Sequence, residues 1–567
     1  MLIGLAQIKI YPSQPDKNYQ TMLQYIEKAQ KQGLSLLIFP QMSLSGLWPG
    51  DNLQNSFFIE DCLAYGESIA KESGSMGIIF GNIDSHGQDC CYLAQNGFLQ
   101  SLPALSCSAG SFAEDACQSF SLFLAGQKYQ AACLLGDWRG RELPAICDNV
   151  DFIINPAQIN LNLAAPYPLA ALPESPKPYI FLNGCGGAFL AKNYYLFSGG
   201  SGIVLPDIGI SCEAALLRED LLIIDDWQGF KSPRLDEKGL LWAGLLAGVK
   251  SFTHAIGAKR AVMGLSGGID SAVAACIYQA ALGKDNLLLC NMPSRFNSDT
   301  TKNLSASLAE ALGTPYMVIP IEASVELTLE QFASIPYQQN GRQGFLQPGN
   351  LAKENLQARD RSARVLATAA AAWQGIFTCN SNKIEATVGY GTFYGDLAGA
   401  FAALGDLWKR QVYLAGEEAG EMIPEAKAAL QAIASIYPSA ELSLEQAVDQ
   451  GKGDPLIYAY HDYLFQSWVE KNWTGEETLF YYQKGLLEDK IGCQKGLLRS
   501  IFADDLSFVQ DMEYWWKMYK GIAVAKRLQV PPVLVLSAYP LTEKKENQGN
   551  LYFSQHYQQL KADILGR

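Results

Sequence analysis

Short apolar runs alternate with amphipathic stretches along the chain, and this pattern predicts its elements. Runs at 2–8, 36–39, 76–82, 129–135, 152–155 and 202–205 are the length of buried strands. Between the first two, Met22, Leu23, Ile26 and Ala29 recur near helical spacing, which predicts a helix over 18–31. Strands that alternate with helices predict an α/β domain with packed layers.

The stretch 259–283 carries the strongest local pattern in the second half. An apolar run that ends at Leu265 predicts a buried strand, the sequence Ser266-Gly267-Gly268 predicts a tight turn, and 272–282 predicts a helix. This layout is typical of phosphate binding, because glycines let the backbone approach an anion and the helix N-terminus carries partial positive charge. Apolar runs at 287–290, 316–320 and 376–378 predict further strands of the same sheet.

Ser266 and Ser271 offer hydroxyl donors, whereas Asp270 would repel a phosphate unless a cation lay between them. The turn therefore predicts Mg²⁺ as well as a phosphate. A bare Gly-Gly pair is as often an ordinary turn, but Ser-Gly-Gly-Ile-Asp-Ser is more specific and lacks the Lys of a Walker loop. It resembles the pyrophosphate loop of the ATP pyrophosphatases, which implies ATP and adenylyl transfer.

Composition narrows the functional classes. The 567 residues suggest roughly two to four domains. A net charge of −14 argues against a nucleic-acid partner, and no apolar run reaches the ~18 residues that span a bilayer, so we expect no membrane contact. Thirteen scattered Cys and four His lack zinc-site spacing, and the first residues lack signal-peptide features. We expect a cytoplasmic protein with reduced thiols.

Charged residues cluster again between 380 and 409. Lys383, Glu385 and Lys409 follow the strand at 376–378, where Mg²⁺-nucleotide chemistry is expected, although any one of them could form a surface ion pair. Upstream, Asn355 and Arg359 are four residues apart and share a helix face. An Arg there can clamp a phosphate or carboxylate, or can simply pair with neighbouring charges.

The first half resembles the nitrilase (carbon–nitrogen hydrolase) domain. The resemblance rests on the opening strand and on the sequences Ile38-Phe39-Pro40, Gly136-Asp137-Trp138 and Phe197-Ser198-Gly199-Gly200-Ser201. It implies an αββα sandwich with a Cys nucleophile, a Glu base and a Lys that supports the oxyanion.

All three catalytic positions depart from that family. Gln41 stands for the Glu, Leu99 or Gln100 for the Lys and Leu135 for the Cys, and neither an amide nor a leucine can replace those groups. Cys133 lies two residues before Leu135 and faces the same side of a strand, about 6.6 Å away. Without a base and a Lys we interpret it as a buried structural thiol. The domain is interpreted as a glutaminase that has lost its chemistry.

The second half closely resembles the synthetase domain of the NAD⁺ synthetases, and the two halves together resemble the glutamine-dependent, two-domain form. We expect a nitrilase-like sandwich at 1–235, a parallel-sheet, adenine-nucleotide α-hydrolase-like (ATP pyrophosphatase) domain at 240–550 and a tail at 551–567. The matching motifs are Met292-Pro293-Ser294, Glu354 to Arg359, Asn382-Lys383 with Glu385, Val388-Gly389-Tyr390, Tyr394-Gly395-Asp396, Asp406 with Lys409, Pro438 to Leu442, and Lys526-Arg527.

The resemblance also implies a chemistry and its residues. The family adenylates the nicotinate carboxylate of deamido-NAD⁺ with ATP, and ammonia then displaces AMP. The implied catalytic residues are Asp270, Lys383, Glu385 and Lys409, with Asp270 and Glu385 as Mg²⁺ ligands. The implied ATP contacts are Gly264, Leu265, Ser266, Gly267, Gly268, Ile269, Asp270, Ser271, Asn380, Lys409 and Ser439. The implied deamido-NAD⁺ contacts are Arg359, Glu385, Tyr390, Phe393 and Lys526. Residues 443–457 would form a lid.

Our hypothesis is an ammonia-dependent NAD⁺ synthetase with a vestigial glutaminase domain, assembled as a homo-oligomer of at least two copies. Two alternatives stay open. A separate glutaminase could supply the ammonia, or the chain could be an inactive homologue with a binding or regulatory role.

Overall fold

The computed structural model describes residues 1–107, 118–543 and 551–566. The chain divides into two compact units, Met1–Ala247 and Gly248–Arg567. Residues 544–550 of the expected synthetase domain, and Arg567 of the expected tail, lie outside the described residues. No helix in the described ranges is both long enough and apolar enough to cross a membrane.

The first unit is built mainly from strands. Its elements are β1 (Leu2–Gln7), α1 (Pro15–Lys31), β2 (Leu36–Ile38), α2 (Ser56–Glu72), β3 (Gly77–Ile83), β4 (Asp89–Gln95), β5 (Phe98–Ser101), β6 (Ala104–Ser106), β7 (Phe120–Leu124), β8 (Gln127–Leu135), β9 (Phe152–Ala157), β10 (Tyr179–Asn183), β11 (Cys185–Leu190), β12 (Asn193–Ser198), β13 (Gly202–Leu205), β14 (Gly209–Glu213), β15 (Asp220–Asp225) and β16 (Gln228–Gly229). Helix α3 (Glu237–Ala255) contains the point at which the two units divide.

Two mixed sheets face each other in this unit. The first has the order β16-β15-β1-β2-β3-β4-β5, and the second has the order β14-β13-β10-β9-β8-β6 with β7 also paired to β8. Alternate side chains of β1, β2 and β3 pack against those of β8, β9 and β10 in a core between the sheets. Helices α1 and α2 cover the outer face of the first sheet. The expected nitrilase-like sandwich is confirmed, and 3₁₀ turns at Ala145–Asn149 and Pro168–Ala171 contribute to the outer layer over the second sheet.

The second unit mixes a small sheet with many helices. Its elements are β17 (Ala261–Gly264), α4 (Ile269–Leu282), β18 (Leu287–Asn291), α5 (Asp299–Leu312), β19 (Tyr316–Val318), α6 (Glu322–Ser334), β20 (Tyr337–Gln339), β21 (Arg342–Gly344), α7 (Asn350–Arg359), α8 (Ala367–Ala372), β22 (Ile376–Phe377), α9 (Lys383–Val388), α10 (Lys409–Met422), α11 (Lys427–Ser435), α12 (Tyr458–Glu470), α13 (Gly475–Gln483), α14 (Leu487–Ile491), α15 (Leu497–Ile501), α16 (Asp505–Lys520), α17 (Ile522–Gln529), β23 (Val533–Val535) and α18 (Gln555–Ile564).

The sheet of this unit has the order β19-β18-β17-β22 and its described pairings are all parallel. Its strands therefore end at a common edge, which is where ligands bind in sheets of this kind. Beside it, α12, α13, α16 and α18 enclose an aromatic core that includes Trp468, Trp515 and Tyr557. The tail expected at 551–567 thus contains an ordered helix.

Two local predictions need correction. The alanine-rich composition from 354 to about 375 predicts one long helix, but a π-helix at Asp360–Leu366 separates α7 from α8. A π segment widens the helix by one residue per turn and often lies at a functional site. The composition of 225–233, which is polar and rich in turn-forming residues, predicts a linker, but the chain there forms the turn between β15 and β16, and Trp227 in this turn packs against Phe152.

Candidate active site

The glycine turn connects β17 to α4 in the way that the sequence predicts. Gly267 has φ +90°, and a Cβ atom there would overlap the carbonyl oxygen of Thr301 on α5. Glycine is therefore required both by backbone conformation and by space. Gly268 caps α4, so the helix begins at Ile269, three residues before the predicted start. The first N–H groups of this helix stay available to an anion.

Two serines hold the turn in shape. The Ser266 backbone N–H donates to Ser271 Oγ at 3.2 Å, and the Gly268 N–H donates to Ser266 Oγ at 3.2 Å. Ser271 Oγ in turn donates to the Gly268 carbonyl at 3.0 Å. These contacts fix the loop before any ligand binds, which lowers the entropic cost of binding.

Two carboxylates and one ammonium group meet beside this loop. Asn382 Nδ2 donates to Asp270 Oδ1 at 2.8 Å and to Glu385 Oε1 at 2.9 Å, so a single amide holds both acids. Lys409 Nζ lies 2.5 Å from Asp270 Oδ2 and 3.9 Å from Glu385 Oε1. Asp462 accepts the Lys409 backbone N–H at 2.8 Å and so fixes the start of α10.

Burial and mutual repulsion shift the protonation of this cluster. Burial, together with the charge of Asp270, raises the pKa of Glu385 to about 8, although Lys409 acts in the opposite direction. Burial alone would lower the pKa of Lys409, but Asp270 and Glu385 raise it above its usual value. Among the residues that the structure describes, no group of three or more His, Cys, Asp or Glu could hold a metal ion. Two carboxylates nevertheless suit Mg²⁺, which usually takes one or two of them together with phosphates and water.

Two further predicted ATP contacts lie at the same edge of the sheet. Asn380 Nδ2 donates to the Gly264 carbonyl at 3.2 Å, which places it at the end of β17. Ser439 lines a cavity together with Ser266, Gly268 and Ile269. This cavity has a volume of about 30 Å³, which is room for about two water molecules. In this conformation the cavity is too small to hold a nucleotide.

The predicted substrate contacts form a second group around residues 389–393. Arg359 Nε donates to the Phe393 carbonyl at 3.0 Å, and Thr392 Oγ1 donates to Asn355 Oδ1 at 2.7 Å. Asn355 and Arg359 therefore do share a helix face. Lys526 Nζ donates to the Gly389 carbonyl at 2.8 Å and lies 5.9 Å from the centre of the Phe393 ring.

The structure places two predicted site residues elsewhere. Lys383 is completely buried, and its Nζ contacts Asp406 Oδ1 at 2.8 Å and Ser537 Oγ at 3.0 Å, so its ammonium is directed away from the two acids that Lys409 contacts. In this structure Lys383 therefore forms a buried ion pair with Asp406, apart from the group of Asp270, Glu385 and Lys409. Leu265 is buried, and its N–H and carbonyl bond to Cys290 and Asn291, so in this structure its backbone groups are used in supporting the loop.

The three altered positions of the first unit are not gathered in one cluster. Gln41 follows β2 and donates through Nε2 to the carboxylate of Asp89. Leu99 packs on the helix side of the first sheet, whereas Leu135 packs in the core between the sheets. Burial raises the pKa of Asp89 to about 6, which the bond from Gln41 only partly offsets.

Cys133 lies in the core between the two sheets and is completely buried. Its thiol contacts Cys91, and this contact together with burial raises the pKa of Cys91 well above the usual value. A thiol that is enclosed in the core has no access to a substrate, and buried structural cysteines are inert. The placement supports the structural interpretation of Cys133.

Several site residues escaped the sequence analysis. The Asn382 capping box with Glu385 carried a signal, since Asn-x-x-Glu is typical of a helix start. Arg361 Nε donates to the Met292 carbonyl and its Nη2 donates to Asn297 Oδ1, but only the π-helix directs it there. Glu441 belongs to the motif at 438–442 and Asp454 to the expected lid at 443–457, but the sequence assigned neither of them a partner because their partners are distant along the chain.

Sequence comparison identifies known proteins that this chain resembles. A family model described as NAD synthase matches residues 241–491. A glutamine-dependent NAD(+) synthetase from Synechocystis is 29% identical over 72% of this chain and 79% of the relative. An NH(3)-dependent NAD(+) synthetase from Trichlorobacter lovleyi is 35% identical over 36% of this chain and 70% of the relative.

The fold of the whole chain also has a match among solved structures. A glutamine-dependent NAD⁺ synthetase from Acinetobacter baumannii, solved with ADP, aligns with a TM-score of 0.64 and 21% identity over 97% of this chain and 98% of that one. The two-unit fold is therefore shared along nearly the full length. On the sequence matches to its synthetase half and on this shared fold, the chain belongs to the NAD⁺ synthetase family, in its two-domain form, and is a ligase that forms a C–N bond.

Proposed function

We propose that this protein adenylates the nicotinate carboxylate of deamido-NAD⁺ with ATP and amidates the product with free ammonia, releasing pyrophosphate and AMP. The observation that carries the proposal is the cluster of Asp270, Glu385 and Lys409 beside the fixed loop at 266–268. A carboxylate is a poor electrophile, and joining it to AMP supplies the leaving group that ammonia needs.

Each group has a role in that chemistry. The N–H groups at the start of α4 and the Ser266 hydroxyl would contact the phosphates. Lys409, held by Asp270, would balance the charge that grows on the leaving pyrophosphate. Asp270 and Glu385 would hold Mg²⁺, which neutralises phosphate charge when bound. The NAD⁺ synthetase structure solved with ADP supports an adenine nucleotide as co-substrate.

The second group of residues would hold deamido-NAD⁺. Arg359 and Lys526 are two cations that contact the segment 389–393, and Lys526 Nζ also lies 5.9 Å from the centre of the Phe393 ring. The positive charges of Arg359 and Lys526 suit the negatively charged phosphates of a dinucleotide, and the aromatic ring of Phe393 suits stacking with its bases.

The proposal assigns no ammonia production to the first unit. Gln41 cannot act as a base, Leu99 and Leu135 lie on different layers, and Cys133 is sealed in the core. The Trichlorobacter relative named as NH(3)-dependent matches 36% of this chain, whereas a relative that matches 72% of it is named glutamine-dependent. The choice of free ammonia over glutamine therefore rests on the altered residues of this chain and not on the names of its relatives.

The test supplies deamido-NAD⁺, ATP and Mg²⁺ with either ammonium chloride or ammonium-free glutamine, and follows NAD⁺ and glutamate. We expect NAD⁺ with ammonium only and no glutamate from glutamine. Glutamate release at the rate of NAD⁺ formation would refute the loss of glutaminase chemistry. Rescue of glutamine use by an added glutaminase would support a separate partner, and failure with both nitrogen sources would favour the inactive homologue.

We also propose a homo-oligomer that contacts through the second unit. Large apolar side chains stay exposed in the stretch 318–351, and few monomers leave such stretches uncovered. These side chains are Val318, Leu327, Phe332, Ile335, Phe345, Leu346 and Leu351. Light scattering is expected to give at least a dimer, and a monomer at micromolar concentration would refute this.

A further inference from the structure

Residues 437–454, which we name the covering segment, lie against the phosphate loop. Tyr437, Ser439, Glu441 and Val448 line the same small cavity as Ser266. On the nucleotide side Glu441 anchors the segment, because its buried carboxylate accepts the Ser298 N–H at 3.1 Å and the Thr301 hydroxyl at 2.6 Å. Both donors belong to the first turn of α5, where a carboxylate is stabilised.

The other end of the segment is anchored by Asp454. Its Oδ1 accepts the Tyr390 hydroxyl at 2.9 Å and the Ala440 backbone N–H at 3.0 Å, and its Oδ2 accepts the Tyr458 hydroxyl at 3.2 Å. One carboxylate thus joins three parts of the unit. Ala440 belongs to the ATP side, Tyr390 belongs to the substrate side, and Tyr458 begins α12.

Close packing makes this junction specific. A Cβ atom at Gly453 would overlap Tyr437, so only glycine lets the chain pass here. The Asp454 N–H then reaches the Pro438 carbonyl at 3.0 Å. Gln446 Nε2 also donates to the Tyr390 hydroxyl at 3.0 Å. This hydroxyl therefore makes two hydrogen bonds with the covering segment, one to Asp454 and one from Gln446.

We propose that Asp454 is a positioning residue that couples closure of the covering segment over ATP to the placement of Tyr390 beside the second substrate. The inference rests on the proposed function for the identity of that substrate, deamido-NAD⁺. A ligand that fixes the position of Tyr390 stabilises the closed conformation of the covering segment through Asp454. The closed segment in turn keeps water from the acyl-adenylate.

The first experiment measures binding alone. Calorimetry with a non-hydrolysable ATP analogue, with and without deamido-NAD⁺, is expected to give at least about a five-fold gain in affinity for the wild type. In Asp454→Asn this gain falls below about two-fold, because a neutral amide oxygen accepts the Tyr390 hydroxyl and the Ala440 N–H more weakly than a carboxylate does, and the amide nitrogen cannot accept the Tyr458 hydroxyl. Tyr390→Phe removes one partner and is expected to lose the gain equally, and the double variant loses nothing more.

A second readout follows the escape of the intermediate. With ammonium present, the wild type is expected to form one AMP per NAD⁺, whereas Asp454→Asn forms at least about two because water enters the loosened site. Glu445→Gln, an exposed carboxylate of the same segment, is the matched control and leaves both readouts unchanged.

The proposal would be overturned if Asp454→Asn kept the wild-type gain in affinity for the ATP analogue, or if Glu445→Gln lost this gain to the same extent as Asp454→Asn. If Asp454→Asn fails to fold, the same measurement on Tyr390→Phe tests the proposal instead. If deamido-NAD⁺ raises the affinity of the wild type for the ATP analogue but no NAD⁺ forms, the proposed function is refuted and the role of Asp454 is retained. NAD⁺ formation without coupling would refute only the inference.

Discussion

Replacing Lys383 with methionine is expected to destabilise the second unit rather than to remove a catalytic group. The Lys383 ammonium is completely buried and lies 2.8 Å from Asp406 Oδ1. Asp406 is itself 1% exposed in its side chain. The substitution keeps most of the side-chain volume and leaves a buried carboxylate without its cation.

The expected magnitude follows from these contacts. Two charges 2.8 Å apart attract by about 6 kcal/mol at an effective dielectric constant of about 20. Part of this is offset because the buried lysine no longer has to be desolvated. Asp406 also keeps the N–H groups of Leu536 and Ser537, at 2.9 and 2.7 Å. We expect the free energy of unfolding to fall by about 3 kcal/mol, the lower end of the range for broken buried pairs.

Urea unfolding followed by tryptophan fluorescence measures this loss, and Asp406→Asn in the Lys383→Met background should recover part of it by removing the unpaired charge. The rate per folded molecule is expected to stay within about three-fold of the wild type, since a purely structural loss leaves the reacting atoms in place. A variant of wild-type stability with a hundred-fold lower kcat would refute the reasoning and restore a catalytic role.

Three further outcomes are expected. Gly267→Ala places a Cβ on Thr301 in a left-handed turn, so affinity for an ATP analogue falls at least about ten-fold by calorimetry; unchanged affinity would contradict the close approach. Burial raises the pKa of Asp89 from 3.8 to about 6, so its ionisation costs stability as pH rises from about 4 to 6. Asp89→Asn should therefore exceed wild-type stability by up to about 3 kcal/mol at pH 7.5 and match it near pH 4, and a constant difference would refute the assignment. Cys133→Ala should leave ammonium-dependent activity unchanged, and a selective loss with glutamine would show a working thiol.

The sequence by itself determined most of the elements and their chemistry. The strand, glycine turn and helix at 261–282 could be predicted because each depends on neighbours in the chain: apolar side chains for the strand, glycines for the turn and alanines for the helix. The same holds for β1, β2, β8 and β13, which differ from the expected ranges by at most two residues at either end.

Only the tertiary structure decided where the charged groups point. Lys383 and Lys409 look alike in sequence, yet one is sealed beside Asp406 and the other reaches Asp270, because α9 and α10 present them in different directions. Glu441 and Asp454 acquire their roles from partners on α5 and near residue 390, which the chain brings close only after folding. Local sequence governs backbone conformation, whereas the partners of a buried charge are set by the packing of distant elements, and for this reason the sequence alone could not identify them.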